Sequence, residues 1–304
     1  MLRSNRIHIV YTILSCIITH ACITSHKAFS QIPDFSKAWY LQPEDSANIT
    51  HLIHNGVKVE EGKVIAWFPK DSLSMKRMKE IVDTLNIGID GAVKFIKAPL
   101  PWQVIQGGDK YTYYFTTDTI ISHGSLAGFV SISFWRIKSG KAPWLHEAIH
   151  EMLNTKTFYS LPEKEKTAIV SHLWLAEGLP EYIAMQVSQA KKLPRFDPLA
   201  NNFVDNIDSA CKEGLKNEKK EYILSFIGKK GEMPELFGKE RRLYAPTFYH
   251  CSCSFVKYLV EQQGIEPLLN SSSVYPKEDE ALKKLIRPSL EVMKRSWLQK
   301  LGID

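Results

Sequence analysis

The stretch that most constrains the fold is Ala142 to Leu153, Ala-Pro-Trp-Leu-His-Glu-Ala-Ile-His-Glu-Met-Leu. It holds a His-Glu-x-x-His core at His146, Glu147 and His150. On a helix, residues four apart lie roughly 40° apart around the axis and about one turn along it. Both imidazoles then face the same way and can bind one Zn²⁺, while Glu147 points beside the metal, where it can take a proton from a bound water. Pro143 suits the first turn of such a helix, where a missing N–H breaks no bond. The bare motif arises by chance in on the order of one chain in a hundred of this length, so the weight of the argument falls on a third ligand.

A tetrahedral catalytic zinc site takes three protein ligands and keeps the fourth position open. The chain offers a further carboxylate downstream, in Leu173 to Ala184: Leu-Trp-Leu-Ala-Glu-Gly-Leu-Pro-Glu-Tyr-Ile-Ala. His-Glu-x-x-His followed some tens of residues later by Trp-Leu-x-Glu-Gly-Leu-x-Glu-Tyr resembles the gluzincin class of zinc metallopeptidases. That class includes thermolysin-like and aminopeptidase-like enzymes, and the chain is most similar to its small peptidase-MA-like members. In them the Glu of the Glu-Gly pair is the third ligand, so the resemblance assigns that role to Glu177. It also makes Glu181, one turn on, a carboxylate that holds a ligand His by its other ring nitrogen. Pro180 departs from the class pattern, where a small residue is usual. A proline past the first turn is expected to kink the helix, which bears on the aim of Glu181 more than on that of Glu177.

Two further stretches extend the resemblance. Tyr244 to Leu259, with Tyr249-His250-Cys251-Ser252-Cys253-Ser254-Phe255-Val256, is similar to a later helix of the class, with Ser252 and Cys253 in place of a glycine-rich pair. In gluzincins a phenol or imidazolium from this region donates to the oxyanion of the tetrahedral intermediate. The resemblance makes Tyr249 the first candidate and His250 the second; the alternative is Tyr249 as a core aromatic. Upstream, Phe129 to Trp135 alternates as a strand does. In the class, the strand at this place is the sheet edge over the cleft and pairs with an extended substrate. That puts Phe129, Val130 and Ser131 against the substrate, since an open edge binds a peptide backbone whatever its sequence. The alternative is an ordinary sheet strand.

The remaining elements follow from pattern. Residues 31–60 read as an extended lead-in, and Glu60-Glu61-Gly62 as a turn. Val64 to Phe68 is a buried strand ended by Pro69. Asp71 or Ser72 can cap the next helix, in which Met75, Met78, Ile81, Val82, Leu85, Ile89, Ala92, Val93 and Ile96 recur at helical spacing as far as Lys97. Tyr111 to Thr116 is a strand, and Gly124 to Gly128 a loop. Asn154 to Lys166 is a surface loop or short helix. Ala210 to Glu213 and Tyr222 to Phe226 suggest a helix or two, Gly264 ends the helix that carries Tyr249, and Ala281 to Ile286 and Leu290 to Leu301 are closing helices.

Met1 to Ser30 reads as an export signal: Arg3 and Arg6 are basic, Ile7 to Thr24 is mostly apolar, and Ala28-Phe29-Ser30 presents small residues to a signal peptidase. An uncleaved anchor or a lipoprotein signal at Cys16 or Cys22 are the alternatives. No later stretch is apolar enough to span a membrane. The formal charge of +6 falls to about +3 once Arg3, Arg6 and Lys27 leave with the leader, too little to imply nucleic acid, and no basic stripe interleaved with aromatics appears, so no nucleic-acid partner is expected. Past the leader only Cys211, Cys251 and Cys253 remain, so Cys211 can pair with Cys251 or with Cys253 after export.

These readings add up to an α+β fold of zincin-like form. An export signal (1–30) precedes an N-terminal α/β lobe (31–170), where a small mixed sheet packs on the His-Glu-x-x-His helix. A mainly helical lobe (171–304) supplies Glu177. The resemblance implies a secreted or periplasmic zinc peptidase acting on peptide or protein substrates. Two other functions stay open at this level: an exported binding protein on a gluzincin scaffold with a structural or vestigial metal, and a zinc hydrolase of a non-peptide amide.

Overall fold

The apolar run Val64–Phe68 forms the strand its composition predicts, inside a five-stranded mixed sheet. The computed structural model describes residues 43–97, 110–117, 123–125, 129–139, 142–160, 172–193, 206–217, 220–229, 241–272 and 278–303. The leader read at 1–30 lies outside the described residues. The strands are β1 (Val57–Glu61), β2 (Val64–Phe68), β3 (Tyr111–Thr116), β4 (His123–Ser125) and β5 (Phe129–Ser133), in the spatial order β1-β2-β3-β5-β4. The central three run parallel, and β1 and β4 pair antiparallel at the two outer positions. Val64, Ala66, Phe68, Tyr113, Phe115, Val130 and Ile132 on one face, and Trp67, Tyr114, Phe129 and Ser131 on the other, are all buried, as strands covered on both faces require.

Helix α2 (Met75–Ile96) crosses from β2 to β3 and buries Ile81, Val82, Leu85, Ile89 and Ala92. Its cap is Ser74, whose hydroxyl accepts from the Arg77 amide, and not Asp71 or Ser72. Residues 43–61 correct the expected lead-in and turn. Pro43–Asn55 is a helix, α1, that buries Ile49 and Leu52, and β1 follows it. The turn itself sits at Gly62, in the left-handed region at φ 53°. Asn86 of α2 holds that turn from both sides: its Nδ2 donates to the Glu61 carbonyl and its Oδ1 accepts from the Lys63 amide.

The strand expected through Trp135 stops at Ser133, because its ladder partner Thr116 is the last residue of β3. With nothing further to pair, Phe134–Lys138 turns into a short helix, α3. Then come α4 (Trp144–Ser160), α5 (Leu173–Lys191), α6 (Ile207–Asn217), α7 (Lys220–Phe226), α8 (Arg241–Gln263), α9 (Glu266–Ser272), α10 (Glu278–Leu285) and α11 (Leu290–Leu301). Asn154–Ser160 thus continues α4, and the rest of the segment read there as loop lies outside the described residues. Gly264, at φ 77°, follows α8 as expected.

The architecture is mixed α+β. Helix α4 packs against α2, α5 and the β4–β5 side of the sheet, and α8 lies along α5 and α6. One hydrophobic core runs from Val59 through Trp144, Trp174 and Phe255 to Leu301, so the strand-bearing and helical halves share an interior. A disulfide joins Cys211 of α6 to Cys251 of α8, while Cys253 stays a buried thiol. Among the described residues no helix is long and apolar enough to cross a membrane.

Candidate metal centre

Helix α4 is fixed at its start, two residues before His146. The Trp144 indole lies on α2 where Gly88 has no side chain; a Cβ there would sit 2.3 Å from the ring. The Tyr113 hydroxyl of β3 donates to the Trp144 carbonyl at 3.2 Å. Sequence reasoning missed this anchor. Its trace in the sequence is a glycine inside an otherwise unbroken helical pattern, which signals a close approach.

From this base α4 presents His146 and His150 together, ring centroids 4.6 Å apart. Helix α5 meets them with Glu177, whose Oε2 lies 3.3 Å from His146 Nε2 and 3.1 Å from His150 Nε2. Two ligands at tetrahedral angles, each about 2.0–2.2 Å from a zinc ion, sit roughly 3.3–3.5 Å apart, so the carboxylate–imidazole spacings fit such an ion closely. All three donor atoms fall within 4.8 Å of one another. His146, His150 and Glu177 therefore form a group that can hold a metal ion. His146 and Glu177 are buried, and the His150 side chain is the most exposed of the three at 17%.

Pro180 lies within α5, yet the helix runs on to Lys191 and Glu181 keeps its aim. Its Oε2 is 2.8 Å from His146 Nδ1, so that nitrogen donates and Nε2 is left to face Glu177 and a metal. The second oxygen of Glu181 is buried with no hydrogen-bond partner among the described residues. Burial by itself would depress the His146 pKa, but bonds to Glu177 and Glu181 outweigh it and hold the imidazole well above its ordinary value. Burial likewise pushes Glu177 upward, and the two imidazoles overcome it, leaving the carboxyl well below its ordinary value. Where a metal binds, it takes the place of the imidazole proton.

Glu147 is half-buried on the same first turn. Tyr249, half-buried on α8, sets its ring edge-on to His146 at 6.2 Å between centroids. Burial lowers His250 to about 4, so its ring is neutral near pH 7 and no imidazolium is available there to an oxyanion. Tyr249 is thus the phenol whose ring lies beside the cluster.

The strand expected to form the open edge does not. Phe129, Val130 and Ser131 are paired on one side with Thr112, Tyr113 and Tyr114, and on the other with Ser125, Gly124 and His123. A strand hydrogen-bonded on both sides has no free N–H and C=O row to offer a peptide. Among the described residues the outer position on this side belongs to β4, which packs against α4.

Compared with known protein families, curated proteins and solved structures, the chain finds no match in any of the three.

Proposed function

We propose that the protein is an exported zinc-dependent peptidase of the gluzincin type. The observation that carries this reading is the convergence of His146, His150 and Glu177 from two helices, with Glu181 behind His146. The residue types, two neutral nitrogens and one carboxylate, are those of catalytic zinc sites. The Cys211–Cys251 disulfide supports export, because such bonds persist in oxidising compartments.

A zinc ion held there supplies a Lewis acid that makes water acidic near neutral pH and polarises a carbonyl. The protein does the rest. Glu147 accepts the proton of the attacking water and passes it to the leaving amine nitrogen. Tyr249 donates its hydroxyl to the oxygen that gains charge on the substrate. Glu181 holds His146 in the tautomer that leaves Nε2 free. The substrate backbone lies extended along the outer row of β4, His123–Ser125, in the role the sequence suggested for β5.

The test pairs metal analysis with peptide cleavage. Purified protein should carry equimolar zinc and cut members of a mixed peptide library, lose cleavage with a chelator, and regain it when zinc is restored. Zinc-loaded protein that leaves every peptide intact refutes the peptidase and favours a non-peptide amide as substrate. Protein that takes up no metal refutes the metal centre.

A further inference from the structure

The three ligands of the cluster come from α4 and α5, but the phenol beside it comes from α8. What sets the distance between them is one crossing. Gly178, the residue directly after Glu177, meets the backbone of Ser252, one turn past Tyr249. A Cβ at Gly178 would lie 2.6 Å from both the carbonyl carbon and the carbonyl oxygen of Ser252, and 3.0 Å from its Cβ. These are main-chain atoms inside a helix, so they cannot swing aside as the tip of a side chain does. The helices touch backbone to backbone here.

We propose that this crossing is a positioning device, and Gly178 a positioning residue, that fixes how far the Tyr249 hydroxyl reaches toward the metal centre. The inference rests on the peptidase reading for its kinetic consequence but not for its geometry. Three observations carry it. Helix α8 cannot rotate to absorb a wider crossing: Phe248, Cys251, Cys253 and Phe255 are all fully buried around its circumference, and Cys251 is bonded to Cys211 on α6. It must translate, and Tyr249 translates with it. The ligand set has its own restraints, Glu177 against both imidazoles and Glu181 against His146 Nδ1. And α5 is backed by α4 and α2, with Gly91 of α2 seated against Val187, so a wider crossing is taken up as a displacement of α8 relative to the ligand set. A methyl at 178 therefore moves the phenol and leaves the ligands in place.

The experiment is Gly178→Ala, alone and with Tyr249→Phe. Zinc affinity, measured by chelator competition, should stay within a few-fold of the parent, while kcat for peptide cleavage falls by about a hundredfold, the size of effect a misplacement near 1 Å can produce. In the Tyr249→Phe background the same substitution should change kcat hardly at all, because the group it displaces is already gone. Equal losses in both backgrounds, or a large loss of zinc affinity, overturn the proposal. A readout independent of turnover uses Co²⁺ in the site: paramagnetic relaxation of the Tyr249 ring protons should weaken in Gly178→Ala, and unchanged relaxation overturns it. If the parent cleaves nothing, the peptidase reading fails while the Co²⁺ measurement still decides the geometry. Should Gly178→Ala not fold, Ser252→Thr widens the crossing from the α8 side and is read in the same way. Failure of both to fold also overturns the proposal, since the contact then governs stability and not the reach of the phenol.

Discussion

The carboxylate of Glu181 lies 2.8 Å from Nδ1 of His146 and is 1% exposed. A buried anion bonded to the far nitrogen of a ligand ring raises the basicity of the near one and locks the ring plane. Glu181→Gln keeps the size of the group and removes the charge. The expected result is a metal affinity lower by about 10- to 100-fold, read by competition with a chromophoric chelator. An affinity equal to the parent's would show that the bond does no work for the metal.

Glu147 offers the sharpest separation of binding from chemistry. It stands one residue after His146, half-buried, and is not among the three donor atoms that cluster. Glu147→Gln should keep the full zinc content and lower kcat by about 10²- to 10⁴-fold, the usual contribution of a positioned acid–base group. A variant that cleaves as well as the parent would remove Glu147 from the mechanism.

His250 makes a prediction about acid stability. Burial holds its folded pKa at about 4, against 6.5 for an ordinary histidine. Between those values the unfolded chain binds a proton that the folded protein refuses. Stability therefore rises with pH across this window, and on acidification the loss starts near 6.5 and is complete below the folded value. The span corresponds to roughly 3 kcal/mol, less whatever its partial exposure screens. Urea unfolding at pH 7 and pH 4 should show the parent losing more stability than His250→Gln. Equal losses would show that His250 ionises freely in the folded protein.

What the sequence made legible, and what it did not, follows from the range of the forces. The two histidines were readable because ligand chemistry imposes fixed helical spacing, four residues apart on one helix face, whereas Glu177 and Glu181 were reached only through the resemblance of Trp-Leu-x-Glu-Gly-Leu-x-Glu-Tyr to gluzincins. Helix α2 was readable from spacing as well, since Ile81, Leu85, Ile89 and Ala92 carry a local period. The sheet edge was not. His123-Gly124-Ser125 has neither the length nor the β-branched residues of a strand, and it is one only because β5 gives it a partner. Helix α1 was hidden because Asp45, Ser46, Asn48 and Thr50 surround the two buried positions, Ile49 and Leu52. The end of β5 depended on where β3 stops, which no local pattern encodes. The choice between Cys251 and Cys253 was equally non-local: two residues apart on a helix, they point to nearly opposite sides, and only packing against α6 decides which one pairs.

That choice carries a measurable consequence. The Cys211–Cys251 bond closes a loop across 40 residues of sequence and ties α6 to the helix that bears Tyr249. In the chain-entropy account a loop of this length is worth about 4 kcal/mol through restriction of the unfolded state. Cys211→Ala with Cys251→Ala should lower the unfolding free energy obtained from urea titration by that much, and a reductant should do the same to the parent while leaving the double variant unaffected. Cys253 tests the assignment from the other side. Its thiol is fully buried and donates to the Met185 sulfur, and burial pushes its pKa far up, so it should resist alkylation until the protein unfolds. Mass mapping of the oxidised protein should find the Cys211–Cys251 peptide pair and a free Cys253. A Cys211–Cys253 pair would reverse the assignment and require α8 to turn by about half a revolution, which its buried Phe248 and Phe255 forbid.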